Sequence, residues 1–404
     1  MLTTFSKISG VLGVLLALWC MGCEQRIPIG PFQNVPPATN TTDTTYAEVY
    51  PPISGYEVGG FQDPRAVMVG NDQLIYVCDY ARNEVIMFDA GGRVLTSRKI
   101  MHPISIAQNS KLDLYVGAET IAPNGVDTVG AIYRIFLARF DTTYVAGYDT
   151  TIVLGDTVIL PVYRDTSLFA DHHLDVARSR IVWKEPGHPA RRFPGIAILP
   201  GNEYLAARSG PDNSSFVDPD NRVLHFTPGD TLYSPIGDLL TPPSGGTSIV
   251  DIRFLTGIMV FPGTRNFLVT QSTSGVVYGA ILLTWTNTST QQGWIPTYDP
   301  ADPIQRGADI IKPYRFRDAV AAAYDNKRRE LYILDAGLDS VMKFNSRGQQ
   351  KEESFGRYLT GSQGLPALSG PMGIAYSNDC TLYIIDTGNK LLRRFRIASQ
   401  TNCF

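Results

Sequence analysis

The sequence predicts an all-β fold, a six-bladed β-propeller, and three observations carry that prediction. Leu368 to Ile397 reads as three short strands joined by polar turns, and its frame recurs in looser form five times upstream. A unit of this size cannot bury its own faces, so the copies must stack. Radial stacking of small four-stranded sheets gives a propeller with protected edges. Finally, the last copy stops after its third strand, while the strand-like stretch Ile53 to Phe61 stands unassigned before the first copy.

Taken in order, the chain opens with Met1 to Gly22, in which Lys7 is followed by the apolar run Ile8 to Met21. That run is too short to span a bilayer with margin and reads as a secretory signal. Gly22 is the small residue needed before a cleavage at Cys23. The junction resembles a bacterial lipoprotein signal, although Cys20 stands where that pattern has Leu. The resemblance implies a lipid on Cys23 and a protein held at the cell envelope, its partner there being the membrane. Residues 23–52 hold Pro28, Pro31, Pro36, Pro37, Pro51, Pro52 and the run Thr39 to Thr45, with no apolar period. They are expected to form a flexible tether ahead of a propeller spanning 53–404.

Each blade copy follows the same frame: an apolar run, a polar turn, a second strand of the LYIxD type, another turn, and an amphipathic strand. The clearest copies are Phe61 to Val94, Arg317 to Gln349 and Leu368 to Ile397. Looser ones are Pro103 to Arg139, Pro194 to Phe226 and Leu255 to Thr284. The frame resembles the NHL repeat, whose family builds β-propellers. Asp79, Asp335 and Asp386 close the second strands with blade register, and a carboxylate accepting N–H bonds from a turn would serve every blade alike. Phe140 to Pro189 lacks the first strand of the frame, so it reads either as an outer strand plus a hairpin or as a degenerate seventh blade.

Ring closure is assigned to Ile53 to Phe61, which would supply the missing outer strand of the last blade. Blade topology then sorts the loops. Turns between second and third strands, and the links between blades, share one face, here called the near face. The long segments assigned to it are Thr120 to Thr128, Phe140 to Pro189, Gly210 to Asp220, Leu239 to Ser248 and Tyr298 to Pro313. Long loops cost ordering entropy, so a one-sided set of them marks a working surface. Of the cysteines beyond the signal, Cys78 lies in a strand and reads as a small buried residue, and Cys380 and Cys403 are candidates for a disulfide pinning the C-terminus.

Six innermost strands begin at the mouth of the central channel. The candidate ligand-binding residues there are Arg65, His102, Arg192, Arg253, Arg317 and Asp318. Calcium-dependent lactonases of the gluconolactonase type resemble this architecture but need many converging oxygens, and only Asp63 and Asp318 are available. Amidating lyases with similar blades present several histidines to zinc, whereas His102 alone occupies such a position. His172, His173 and His188 fall in the long insertion, with no known metal spacing. No metal and no cofactor are therefore expected.

The formal net charge of -3 provides no basic field for nucleic acid. With no nucleophile elbow, phosphate loop or paired catalytic carboxylates, no catalytic residue is assigned. The expectation is a non-enzymatic binding or scaffold subunit taking a protein partner or an anionic ligand on its long-loop face. Two alternatives stand beside it: a propeller hydrolase or lyase with a site at the channel mouth, and a component of a larger surface assembly.

Overall fold

A computed structural model describes residues 46–397 except 138–143, 154–155, 165–173, 216, 238, 241–245, 291, 299–307, 352–353 and 357–366. The signal stretch, Cys23 and Cys403 lie outside the described residues. The described residues form six four-stranded antiparallel sheets and one separate two-stranded sheet. Their innermost strands are Pro64–Val69, Ser105–Gln108, Arg192–Ile198, Leu255–Val260, Ala319–Asp325 and Gly373–Tyr376, belonging to blades one to six. Each touches the next and the sixth touches the first, so the ring is closed. All six blades coincide with the copies read from the sequence.

The second strands show why the blades stack. Every residue of Ile75–Asp79, Phe267–Gln271, Glu330–Asp335 and Leu382–Asp386 is buried. A middle strand of a blade is covered on both faces by neighbouring blades, which buries both of its faces. Cys78 is fully buried there, as expected of a small apolar residue, and burial pushes its thiol up. The blade-register carboxylates act as turn clips. Asp79 accepts from the backbone N–H groups of Gln62, Asp63 and Arg82 at 2.8, 3.0 and 3.2 Å. Asp335 does the same for Arg317, Asp318 and Leu338 at 2.7, 3.0 and 3.1 Å.

Ring closure is made by an N-terminal strand, but a different one from that expected. Tyr46–Glu48 pairs antiparallel with Leu391–Ile397, whereas Ile53 contributes a single bridge to Leu392. The assignment of Ile53 to Phe61 as outer strand is corrected accordingly. Its segment instead turns through Tyr56–Val58, with Gly55, Gly59 and Gly60 at positive φ, a backbone that cannot continue a ladder. The selecting interaction is buried: Arg393 donates from Nε and Nη2 to Glu48 Oε1 and Oε2 at 2.7 and 2.8 Å.

The long insertion also moves. Arg178–Lys184 is the outer strand of blade two and pairs with Thr128–Phe136. The hairpin of Tyr144–Val153 and Asp156–Arg164 forms its own sheet between these strands. A connection from third to fourth strand opens on the face opposite the near face, so the near-face placement of Phe140 to Pro189 is corrected: only the link after Lys184 lies on the near face. The segment is an outer strand with an inserted hairpin, not a seventh blade. Cys380 is disulfide-bonded.

Candidate functional site at the near mouth of the channel

The innermost strands enclose an axial cavity of about 790 Å³. Its wall mixes apolar side chains with polar groups, and small residues let the six strands approach one another. A Cβ at Gly195 would stand 2.5 Å from the backbone N of Ile258, and one at Gly257 would stand 2.9 Å from the carbonyl O of Val320. Arg65 itself lines the cavity. His102, Arg192, Arg253 and Asp318 each precede a lining residue by two positions: Ile104, Pro194, Leu255 and Val320. The structure thus brings these residues, with Arg317, to the near rim from five blades.

A connected cluster spans blades one to three. Asp63 and Arg65 form an ion pair at 2.8 Å, and the Arg65 guanidinium lies 4.2 Å from the centre of the Tyr80 ring. Tyr80 stacks on the His102 imidazole, with ring centres 4.4 Å apart and planes 15° from parallel. His102 Nδ1 is 3.0 Å from Glu119 Oε2, and Glu119 Oε1 accepts from Arg192 Nε at 2.7 Å. The His102 backbone has φ 46, in the left-handed region, and its N–H donates to Asn83 Oδ1 at 2.8 Å. Strain of this kind persists where the surroundings over-determine the residue.

Glu119 is buried. Burial works against its charge, but hydrogen bonds from His102 and Thr128 and the Arg192 guanidinium outweigh burial and leave the carboxyl below its ordinary value. Arg192 is held in turn by its neighbour. Arg191, 1% exposed, donates to Asp220, Glu185 and Asp218 at 2.7, 3.0 and 2.7 Å. Removing one partner of such a buried network is far more costly than the network is stabilising.

The opposite side of the mouth is different. Blade five stands across the ring from blade two, and its Asp318 has a carboxyl raised above the ordinary value by burial, with a hydrogen bond from Ser272 only partly opposing this. Two titratable groups therefore face one mouth with opposed tendencies. Glu119 is kept charged and Asp318 is biased towards the neutral acid. Glu119 is not among the residues expected at the rim because it lies inside a second strand, Leu114–Ile121, whereas the expected residues stand at the starts of first strands. Glu119 stands one residue past the register of Asp79 and Asp335, since its N–H donates to the Met101 carbonyl O as those of Tyr80 and Ala336 donate to Asp63 and Asp318, so the blade frame gave no signal for it.

Among the described residues no group of three or more His, Cys, Asp and Glu is placed to hold a metal ion. His172 and His173 lie outside the described residues, and His188 Nε2 stands 3.8 Å from Asp218. His225, in a third strand away from the axis, is bound to Glu203 at 2.7 Å.

No family model matches the chain, and no curated protein matches it. Solved structures do. A luciferin-regenerating enzyme superposes with TM-score 0.51 at 10% identity, covering 87% of this chain and 96% of its own. A glucose dehydrogenase gives 0.50 at 8%, covering 84% and 97%. A virginiamycin B lyase from Staphylococcus aureus gives 0.44 at 10%, covering 88% and 100%. At such identities the likeness carries the fold and not a particular activity. It does correct the expectation of a non-enzymatic binding or scaffold subunit, which rested on missing catalytic motifs: the architecture is shared with enzymes.

Proposed function

We propose that the protein is a hydrolase or lyase working by general acid–base catalysis at the near mouth of the channel. The observation that carries this reading is the His102–Glu119 contact at 3.0 Å, with His102 two residues ahead of the lining residue Ile104. A buried carboxylate on Nδ1 holds the imidazole with its proton there, which leaves the Nε2 lone pair as a base. Nε2 takes a proton from water in a hydrolysis, or from the substrate in an elimination, and Glu119 stabilises the imidazolium that results. Asp318, biased towards the protonated form, supplies a proton to the leaving group from across the mouth. This is the pattern of two titratable groups set to different roles by their surroundings. The sequence frame further supports a place among NHL-like propellers.

Asp318→Asn separates function from stability. Its folded pKa is raised, so folding releases no proton here but holds one more tightly. The penalty for ionising it is absent below the unfolded carboxylate pKa of about 3.9 and grows as pH rises towards the folded value. The variant is expected to be at least as thermostable as the parent at pH 7, while turnover of an ester or lactone panel falls about 10²- to 10⁴-fold. Parental turnover in this variant would remove Asp318 from the acid role, and no turnover by the parent on ester, lactone or elimination substrates would sink the catalytic reading.

The chain is further proposed to be lipidated at Cys23 and held at the cell envelope, on the Gly22–Cys23 junction and the Pro- and Thr-rich stretch behind it. Cys23→Ser is expected to move the protein from the membrane to the soluble fraction with loss of the lipid mass. Unchanged membrane retention and mass would show the anchor to lie elsewhere.

A further inference from the structure

The charges on the near rim do not balance evenly around the ring. Arg65 is neutralised by Asp63 and Arg192 by Glu119. Arg253 and Arg317, on blades four and five, have no carboxylate partner among the described residues. Arg253 Nε is buried without a hydrogen bond, and its guanidinium lies 5.2 Å from the Phe254 ring centre. Arg317 is exposed, with one long contact of 3.5 Å from Nη1 to the carbonyl O of Gly337. The two occupy the same register. The Arg253 N–H donates to Gln271 Oε1 at 2.8 Å, as the Arg317 N–H donates to Asp335.

One loop touches both arginines. Thr273 Oγ1 donates to the Arg317 carbonyl O at 2.7 Å, and a Cβ at Gly275 would stand 2.5 Å from Arg253 Nη1. Gly275 has φ 83, so the loop needs glycine both for its backbone and to make room for the guanidinium. Asp318, next to Arg317, takes its hydrogen bond from Ser272, and Asp251, two residues before Arg253, accepts from the Ser248 N–H at 2.9 Å, so neither acid is spent on these guanidiniums. A half-buried guanidinium without a counter-charge is favoured by an anion beside it, and the exposed Arg317 offers a second donor from the neighbouring blade. Below the rim, Val67, Ile106, Ile196, Ile258, Val320 and Ile374 line the cavity. Its volume of about 790 Å³ falls in the range of small-molecule pockets, and its wall suits an apolar body.

We infer that the substrate is an organic anion with an apolar body, its anionic group held by Arg253 and Arg317 and its body in the upper channel. This rests on the reading of the mouth as a catalytic site, and it places the scissile bond between His102 and Asp318. The anionic end then sits on the blade-four and blade-five side, away from Glu119.

Binding measured by calorimetry in a His102→Gln background tests the inference without requiring turnover. Decanoate is the probe, with decanol as its neutral counterpart and acetate as the anion lacking a body. Decanoate is expected to bind about ten-fold or more tightly than either, with affinity falling as salt rises. Arg253→Gln with Arg317→Gln should weaken decanoate about ten-fold or more and leave decanol unchanged. Equal binding of decanoate and decanol, no decanoate binding, or unchanged decanoate affinity in a folded double variant would each overturn the inference. Intact, arginine-dependent decanoate binding by a protein with no turnover of any anionic ester would leave the anion site standing and remove the catalysis.

Discussion

His102→Gln is expected to lower kcat by about 10²- to 10⁴-fold on whichever hydrolytic or elimination substrate the protein turns over, the range lost when a positioned general base is removed. Thermal stability should change little, because the imidazole is partly exposed and its ring contact is with Tyr80 on the surface of the rim. Glu119→Gln makes the sharper test, since it keeps the size of the side chain and removes the charge. Without the anion, the His102 tautomer is no longer selected and the imidazolium no longer stabilised, so kcat should fall by a similar factor with KM little changed. The variant also changes the pH dependence of stability. The folded pKa of Glu119 lies below its ordinary value, so its contribution is present above the unfolded pKa of about 4.3 and lost as pH falls through the folded one. The parent should therefore lose stability on acidification that Glu119→Gln does not lose. Parental kcat in both variants would dismiss the dyad as catalytic and leave it as a staple between blades two and three.

Glu48→Ala is the substitution with the largest expected effect on stability, about 3–5 kcal/mol. Glu48 and Arg393 are both almost fully excluded from solvent and bind through two parallel hydrogen bonds of 2.7 and 2.8 Å. Burial opposes the Arg393 charge, and the Glu48 carboxylate overcomes it. Truncating Glu48 removes the carboxylate that meets two guanidinium nitrogens, leaves Asp386 at 3.3 Å as a more distant acid beside the Ala367 carbonyl O at 3.4 Å, and loosens the strand that closes the ring. A drop in the unfolding midpoint on the order of 5–10 °C should follow. Glu48→Met with Arg393→Met should recover much of it, because replacing both members by apolar groups removes the uncompensated charge. A midpoint within 1–2 °C of the parent for Glu48→Ala, by this order-of-magnitude argument, would mean that the closing strand is held by its ladder and by Tyr46 alone. Tyr46 packs on Phe355 with ring centres 4.7 Å apart and donates to the Tyr332 hydroxyl at 3.2 Å.

The blade count was legible because the repeat is local. Each copy carries its own turns and its own second strand, and Asp79, Asp335 and Asp386 mark those strands with one residue type for one reason. The near rim was legible too, since a strand start is a position that can be counted, and His102, Arg192, Arg253 and Asp318 all fall two residues before the channel wall.

Other features depend on pairs of residues distant in sequence. Nothing local separates Tyr46–Glu48 from Ile53 to Phe61 as the closing strand. The choice is made by Arg393, 345 residues away from Glu48, whose buried charge needs that carboxylate. Nor does any short pattern reveal that Glu119 meets His102, 17 residues earlier, and Arg192, 73 residues later. The sequence by itself determined the class of fold, the number of blades and which residues stand on the rim, because repeats, turns and strand starts are encoded within a few residues. The tertiary structure decided which strand closes the ring, which face bears the hairpin, and which rim charges are neutralised. Those outcomes turn on burial and on the pairing of charges brought together only when the blades meet.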